Sequence, residues 1–368
     1  MALDHSWLSR LEESVPRFLQ ALKPTPTPGR YFPCLRGATP AGHKMALGWS
    51  CFALKTLHML GRWEELLRED REGWIEFIQD FQNEDTEGAF VDPPQMAELG
   101  KSPSLVASLL RLIGRGPWRP DPRSIQLAET KQAIATLADV GAAPRRPFRG
   151  FPLTPEAVRA WLEAQDWSRP WGAGGQSAGL VVFLKTQAPL FMDPFEADAL
   201  LAVCRDFYAS LAHADTGAYF RGTVPAHGEL INGAMKVLMA LDWLEIPIHY
   251  PERLVETVLA HPPEPSGCHL VDAIYVLHQA LASPGESRAD DRVRTYCAKV
   301  QELIRAHAHD DGGFSFYVRK AQTAYYGVSV SRGLDESDVQ GTCLLVWALS
   351  MIWRLLEPGA ARWKLTRP

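Results

Sequence analysis

The chain has 368 residues, of which 46% are hydrophobic and 22% are charged, and its formal net charge is -5. These proportions are typical of a globular protein that buries a large core. Binding to a phosphate backbone needs clustered lysine and arginine, so the charge argues against nucleic acid as a partner. No run of 18 apolar residues is found, and we therefore expect no membrane span.

The amino-terminal 30 residues predict a surface helix and a connector. Apolar residues recur at helical spacing from Trp7 to Leu22, while Asp4 and Glu12 stand where an export signal would need an apolar core. The pattern predicts an amphipathic helix over 4–23, followed by a proline-rich connector up to residue 30. Because the six cysteines show no C-x-x-C pair, we expect a reduced, cytoplasmic protein.

Helical periodicity dominates the rest of the chain. The predicted helices are 43–60, 62–81, 103–114, 124–141, 154–165, 174–187, 194–212, 229–244, 250–261, 268–283, 289–308 and 336–356. Prolines and glycines separate them, but no connector is long or polar enough to divide the chain. We therefore expect a single domain over residues 1–368.

Six helical segments share one plan, in which a polar or glycine-rich entry precedes an apolar body. They are 41–60, 126–141, 172–186, 228–244, 267–281 and 337–352. Their bodies are apolar on most sides, as buried helices must be, whereas 62–81 and 289–308 are amphipathic. Six inner helices alternating with outer ones predict an all-α fold, an α/α toroid of six hairpins.

A second repeated element is a short turn made of an acid, a glycine and an aromatic residue. It occurs at 85–90, 215–220 and 310–314. Glycine lets the backbone reverse direction, and we expect the aromatic side chain to fill the gap between hairpins.

The third of these turns, AHDDGGFSF at 308–316, resembles the repeat of the protein prenyltransferase β-subunit and squalene cyclase group. The segment SDVQGTCLLVWALSMI at 337–352 resembles the last inner helix of the prenyltransferase β-subunits. HLVDAIYVLHQ at 269–279 resembles the helix that supplies their zinc-binding aspartate. The resemblance implies an α/α toroid and a terpenoid-cyclase or prenyltransferase type of activity.

The zinc ligands of that group are incomplete in this sequence. Asp272 matches the aspartate, but Ile274 stands in place of the cysteine and Gly341 in place of the histidine. The Asp-x-Asp-Asp motif of the cyclases is absent. His307 and His309 match only part of a zinc-hydrolase signature. We therefore predict no metal and no cofactor.

The candidate site lies where the amino-terminal ends of the inner helices meet. These ends carry partial positive charge and free N–H groups, which favour an anionic or polar ligand. The candidate catalytic residues are Asp272, His269 and Asp338. The candidate substrate-binding residues are His43, Lys44, Glu129, Gln176, Asn232, Lys236, Gln340 and Trp171. Ordinary helix capping is the structural alternative for each polar residue.

Three functions are compatible with this pattern, and each of the first two takes a small-molecule substrate, an isoprenoid or a sugar. The first is a terpenoid-cyclase or prenyltransferase-like enzyme whose cavity is lined by tryptophans such as Trp49, Trp171, Trp243 and Trp347. Asp272 or Asp338 would donate the proton or face the diphosphate, while Lys44 or Lys236 would bind an anionic substrate.

The second function is a carbohydrate-active lyase or hydrolase, in which Asn232, His269 and Glu129 would neutralise a uronate and move protons. The third is a non-catalytic binding module. A cavity lined mainly by apolar rings would favour the first function. An open cleft with exposed tryptophan, arginine and carboxylates would favour the second. The absence of any cavity would favour the third. The sequence leaves the oligomeric state open.

Overall fold

The computed structural model describes residues 3–24, 27–100, 121–282 and 289–367. The predicted helix 103–114 lies outside these residues. The first described helices are α1 (His5–Ala21), α2 (Pro40–Lys44), α3 (Leu47–Met59), α4 (Arg68–Gln79), α5 (Pro93–Gly100), α6 (Pro122–Asp139) and α7 (Pro155–Glu163). They are followed by α8 (Pro170–Thr186), α9 (Pro194–Leu211), α10 (His227–Leu244), α11 (Pro251–Leu259), α12 (Gly267–Ala282), α13 (Asp291–Ala306) and α14 (Val339–Leu356). Strands β1 (Ala324–Tyr325) and β2 (Val328–Ser329) form an antiparallel hairpin between α13 and α14.

Six of these helices form a closed inner ring. α3 packs against α6, α6 against α8, α8 against α10, α10 against α12, α12 against α14, and α14 returns to α3. In chain order, α1, α4, α7, α9, α11 and α13 each precede one of these inner helices. The protein is therefore an all-α, six-hairpin α/α toroid, as the sequence predicts.

The composition of each helix matches its layer. Nearly every residue of α14 is buried, whereas only Leu254, Val255 and Val258 are buried along the outer helix α11. In the described part of the chain, α14 is also the one helix long and apolar enough to cross a membrane. Its place in the inner ring accounts for that composition, because an inner helix packs against protein on most of its sides.

The three acid-glycine-aromatic turns have the predicted structure. Gly88, Gly217 and Gly312 adopt positive φ angles of 82°, 72° and 93°, a conformation that side chains with a Cβ rarely take. The aromatic rings that follow, Phe90 and Phe314 among them, are fully buried. Each turn therefore follows one outer helix, and its buried aromatic ring fills the space between that hairpin and the next.

Several predicted helices begin elsewhere. The predicted helix 43–60 is interrupted at Met45, because the Asp92 carboxylate accepts hydrogen bonds from the backbone N–H groups of Ala46 and Leu47 and starts α3 there. α6 begins at Pro122 and α8 at Pro170, earlier than predicted. The expectation that Glu129 and Gln176 occupy first turns is therefore wrong, and both lie deeper along the ring.

Candidate functional site

The starts of three consecutive inner helices, α8, α10 and α12, meet at one end of the ring. The backbone N–H of Trp171 on α8 donates to Oε1 of Glu229 on α10 at 2.9 Å. Asn232 of α10 lies 3.4 Å from Nδ1 of His269 on α12, measured from its Nδ2. These contacts join the starts of three consecutive inner helices, so the amino-terminal mouth is one continuous surface.

Near this mouth, several side chains of the inner ring and of the β1–β2 hairpin remain partly exposed. They come from α6, α10, α12 and the β1–β2 hairpin: Lys131, Lys236, Cys268, His269 and Tyr326. We call the region around these side chains the mouth recess. A ring of apolar helices with polar, partly accessible side chains at one end is a typical place for a small-ligand site.

The entrance to the mouth recess carries an exposed tryptophan. Trp171 is 38% exposed, and its ring centroid lies 6.3 Å from that of His269. Nε2 of His269 is 3.7 Å from a carboxylate oxygen of Glu264. An accessible indole beside hydrogen-bonding groups can stack on a sugar ring while those groups bind its hydroxyls. The other three tryptophans expected to line a cavity, Trp49, Trp243 and Trp347, are buried in the core.

Asp272 is a buried carboxyl group beside the mouth recess. Its side chain is 3% exposed, and no described residue donates a hydrogen bond to its Oδ2. Burial raises the pKa of Asp272 to about 6, and the positive charge of Lys236 limits the increase. A carboxyl group with a pKa in this range can exchange a proton with a ligand near neutral pH.

Glu129 is a second buried carboxyl group, on α6. Burial raises its pKa to about 8, the nearby charge of Asp92 adds to the increase, and the side chains of Tyr325 and Gln95 oppose it. Glu129 therefore carries its proton at neutral pH. Glu129 and Asp272 lie on α6 and α12, which are opposite members of the six-helix ring.

Two lysines share the interior with these acids. Burial lowers the pKa of Lys131 well below its ordinary value, and the positive charges of Lys236 and Lys55 add to the decrease. Glycines of α8 leave space for these side chains. A Cβ on Gly174 would lie 2.8 Å from Cβ of Lys236. The ring interior is thus both acidic and basic in composition.

The β1–β2 hairpin reaches into the ring and was not predicted. Tyr325 is 4% exposed, its ring centroid is 4.9 Å from that of Trp49, and its hydroxyl donates to Oε1 of Gln132 at 3.4 Å. At the tip, Tyr326 and Gly327 have φ angles of 44° and 81°, which form a type I′ turn. The sequence signal for this hairpin is a glycine after two tyrosines, between short runs of strand-forming residues.

Asp338 acts as a structural anchor in this fold. One of its carboxylate oxygens accepts from the Gly341 N–H and caps α14. The other oxygen accepts from the N–H groups of Phe316 and Gln322, at 2.7 and 3.0 Å. Since these bonds hold the loop in front of α14, we do not include Asp338 in the catalytic group.

The remaining candidates lie at the edge of the mouth. His43 and Lys44 are exposed on the short helix α2, where the His43 ring packs against Phe32. Gln176 donates to the backbone oxygen of Ser124 at 3.4 Å and so joins α8 to α6. Gln340, in the first turn of α14, is partly buried.

The two histidines at positions 307 and 309 also have structural partners. Nδ1 of His307 lies 2.7 Å from the backbone oxygen of Ser315, and Nε2 of His309 lies 2.9 Å from the Ser315 hydroxyl. Across the described ranges, no group of three or more potential ligand residues is placed to hold a metal ion.

The carboxyl-terminal segment contacts three inner helices at the other end of the ring. The carbonyl oxygen of Arg367 accepts from Nζ of Lys55 at 2.6 Å, and its backbone N–H donates to Asp139 at 3.2 Å. The Arg367 guanidinium lies over the ring of Trp243, 5.0 Å from its centroid. These contacts connect α3, α6 and α10 across the far end.

The solved structures that this chain resembles include carbohydrate-active proteins. A GH76A α-1,6-mannanase from Salegentibacter sp. HEL1_6 is 10% identical, with 94% of this chain and 100% of that chain covered and a TM-score of 0.45. A polysaccharide lyase is 13% identical, with 98% and 99% covered and a TM-score of 0.46. A family 76 glycoside hydrolase from a bovine Bacteroides thetaiotaomicron strain is 10% identical, with 95% and 78% covered and a TM-score of 0.47.

No protein-family model and no curated protein matches this chain. The toroid is established by the closed ring of helices itself. The toroid that the resemblance in the sequence implies is thereby confirmed.

Proposed function

We propose that the protein is a carbohydrate-active enzyme, a hydrolase or a lyase, that binds a saccharide in the mouth recess. One observation supports this most strongly. Two buried carboxyl groups with unequal pKa values, about 8 for Glu129 and about 6 for Asp272, lie on opposite inner helices. When two carboxyl groups have different pKa values, the group with the higher pKa can act as the acid and the other as the base.

The two groups have complementary charge states at pH 7. Glu129 is protonated and can donate a proton to a leaving oxygen. Asp272 is mostly ionised and can accept a proton from water or from the substrate. Lys236 lies close enough to Asp272 to stabilise its negative charge, and it would also neutralise the carboxylate of a uronate.

The groups around these acids fit a sugar. Trp171 offers a stacking surface at the entrance, and the Asn232–His269 pair offers donors and acceptors for hydroxyl groups. We therefore assign sugar binding to Trp171, Asn232 and His269, and proton transfer to Glu129 and Asp272.

The polar interior favours a saccharide over an isoprenoid. Cyclisation of an isoprenoid passes through carbocations, which aromatic walls stabilise and nearby ammonium groups repel. Lys236 places its charge near Asp272 in this interior, while the aromatic cluster of Trp49, Phe52 and Tyr325 is packed and buried. This charge opposes the chemistry of a cyclase.

The test is turnover of a saccharide panel by the wild type and by Asp272→Asn. The panel contains a neutral α-mannan, polygalacturonate and alginate. New reducing ends report cleavage, and ultraviolet absorbance of an unsaturated product distinguishes a lyase from a hydrolase. We expect Asp272→Asn to lose at least about a hundredfold in kcat/KM, with an unchanged or higher melting temperature.

A lower melting temperature with unchanged turnover would show that Asp272 is structural and would refute its assignment. Binding of a panel member without cleavage would favour the binding module over an enzyme.

A further inference from the structure

We infer that the far end of the ring is a recognition site for a peptide segment that carries Thr-Arg, and that the chain fills this site with its own residues 363–367. We call these residues the strap. The far end is the one at which α3, α6 and α10 finish. The inference does not depend on the saccharide activity, since the mouth recess lies at the opposite end, where α8, α10 and α12 begin.

The backbone of Arg367 is bound through both of its polar groups. Its carbonyl oxygen accepts from Nζ of Lys55 at 2.6 Å, and its N–H donates to Oδ1 of Asp139 at 3.2 Å. Oδ2 of Asp139 accepts from the Thr366 hydroxyl and lies 3.5 Å from Nζ of Lys55. The Lys55 and Asp139 side chains are each 8% exposed, and a buried ion pair needs further hydrogen bonds to offset its loss of water. The strap supplies those bonds, so this ion pair is completed by a peptide segment.

The Arg367 side chain meets groups of matching chemistry at the end of α10. Its guanidinium lies over the indole of Trp243, 5.0 Å from the ring centroid, and its Nε is 3.4 Å from Oδ2 of Asp242. A tryptophan face and a carboxylate are favourable partners for an arginine side chain. The carboxyl end of α10 adds partial negative charge at the same place. A neutral side chain would lose all of these contributions, so the site selects arginine.

The strap crosses the ring from one side to the other. At its start the indole of Trp363, which is 2% exposed, donates to Oε1 of Glu12 on α1 at 2.8 Å. The Lys364 N–H then donates to the carbonyl oxygen of Met59 at the end of α3, also at 2.8 Å. At the other end of the strap Arg367 reaches α10, which stands opposite α3 in the ring. One short segment therefore connects opposite inner helices.

An exposed turn joins the strap to α14. Pro358, Gly359 and Ala360 are exposed, and a Cβ on Gly359 would meet no atom within 4 Å. A short linker holds a segment at an effective concentration on the order of 1 mM, so a strap with a dissociation constant of about 0.1 mM would be docked in about nine molecules of ten. Since the contacts that define the site come from the strap itself, we expect the same segment to bind as a separate peptide.

The experiment begins with the full chain, in which the recognition sequence of a site-specific protease is inserted between Gly359 and Ala360. The folded protein is cleaved there, and a fluorescently labelled peptide of residues 360–368 is added. Fluorescence anisotropy should show binding to the cleaved protein with a dissociation constant of about 0.1 mM or lower. The uncleaved protein should bind little of the peptide, because its own strap occupies the site.

Variants of the peptide test which contacts give selectivity. Arg367→Ala should bind at least about tenfold more weakly. Lys364→Ala is the control and should stay within about threefold of the wild-type peptide, because Lys364 pairs with Glu64 at an exposed position. In a cleaved protein that carries Asp242→Asn, the effect of Arg367→Ala should be smaller. A general loss of structure would not produce this coupling.

A second measurement uses the chain without the insertion. In hydrogen–deuterium exchange, the amides of Lys364 and Arg367 should be protected, because each N–H has an acceptor in the ring. Asp242→Asn should speed exchange in the strap at least about tenfold and leave exchange in α14 unchanged. This measurement decides the question if the insertion prevents folding.

Three results would overturn the recognition site. One is the absence of peptide binding by a cleaved protein that keeps its helical circular dichroism. Another is equal binding of the wild-type and Arg367→Ala peptides. The third is a wild-type strap whose amides exchange as fast as those of the free peptide. Each of these results would leave the proposed saccharide activity untouched.

Discussion

Replacing Glu129 with glutamine should make the protein more stable and less active. Glutamine has the shape of the protonated carboxyl group but cannot ionise. Since the pKa of Glu129 is raised from 4.5 to about 8 in the folded protein, the unfolded chain loses this proton at a lower pH than the folded protein does. The wild type is therefore destabilised relative to Glu129→Gln once the pH exceeds about 4.5.

The size of the effect follows from the pKa shift. For each pH unit between the pKa of the unfolded chain and that of the folded protein, the wild type loses about 1.4 kcal/mol of unfolding free energy relative to Glu129→Gln. At pH 7 the difference amounts to about 3 kcal/mol, and above pH 8 it levels off at about 5 kcal/mol. Below pH 4.5 it disappears, because the group is protonated in both states. This is a large part of the stability of an ordinary domain.

The assay is urea unfolding of the wild type and Glu129→Gln at pH 4, 6, 7 and 8. Glu252→Gln, at an exposed position on the outer helix α11, controls for the loss of one negative charge. The gain for Glu129→Gln should increase from pH 4 to pH 8, and that for Glu252→Gln should stay near zero. A gain that does not change with pH, or a loss of stability at pH 8, would refute the argument. If Glu129 is also the proton donor, the stabilised variant should have lost its turnover.

Three further predictions concern other residues of the site. Lys236→Met should raise the pKa of Asp272 above about 6, because the charge of Lys236 lowers that pKa in the wild type. The acidic limb of the pH profile of kcat/KM should therefore move to higher pH. An acidic limb that does not move would contradict the assignment of Asp272. Asp338→Ala should lower the free energy of unfolding in urea by roughly 2–4 kcal/mol, because three backbone N–H groups lose their acceptor. A variant that unfolds at the same urea concentration as the wild type would refute the role of Asp338 as an anchor. Elemental analysis should find no stoichiometric zinc, because Ile274 and Gly341 replace two expected ligands, and one tightly bound zinc per chain would show this to be wrong.

The ring could be predicted because its signal is repeated. Six apolar helices with polar entries have one plausible arrangement, since each must bury most of its surface against the others. The glycine turns were predictable for a similar reason. Gly88, Gly217 and Gly312 are needed where the backbone adopts a positive φ angle.

The site was harder to predict from the sequence, because the spacing of residues along a helix does not show which other segments contact the end of that helix. The polar start of α14 indicates a candidate in Asp338, yet whether that carboxylate caps a helix or faces a ligand depends on Phe316 and Gln322, which belong to a distant loop. The two-residue strands of the hairpin are too short for a periodic signal. Tyr326, at the tip of this hairpin, was therefore missed.

The measurement that tests the account most directly is mass spectrometry of the small molecules that copurify with the protein, released from the wild type and from Asp272→Asn. The polar recess and its exposed Trp171 predict a sugar, an acidic one in particular, and the inactive variant should retain more of it than the wild type. Recovery of an isoprenoid from either protein would contradict the saccharide assignment and favour a cyclase or prenyltransferase-like activity.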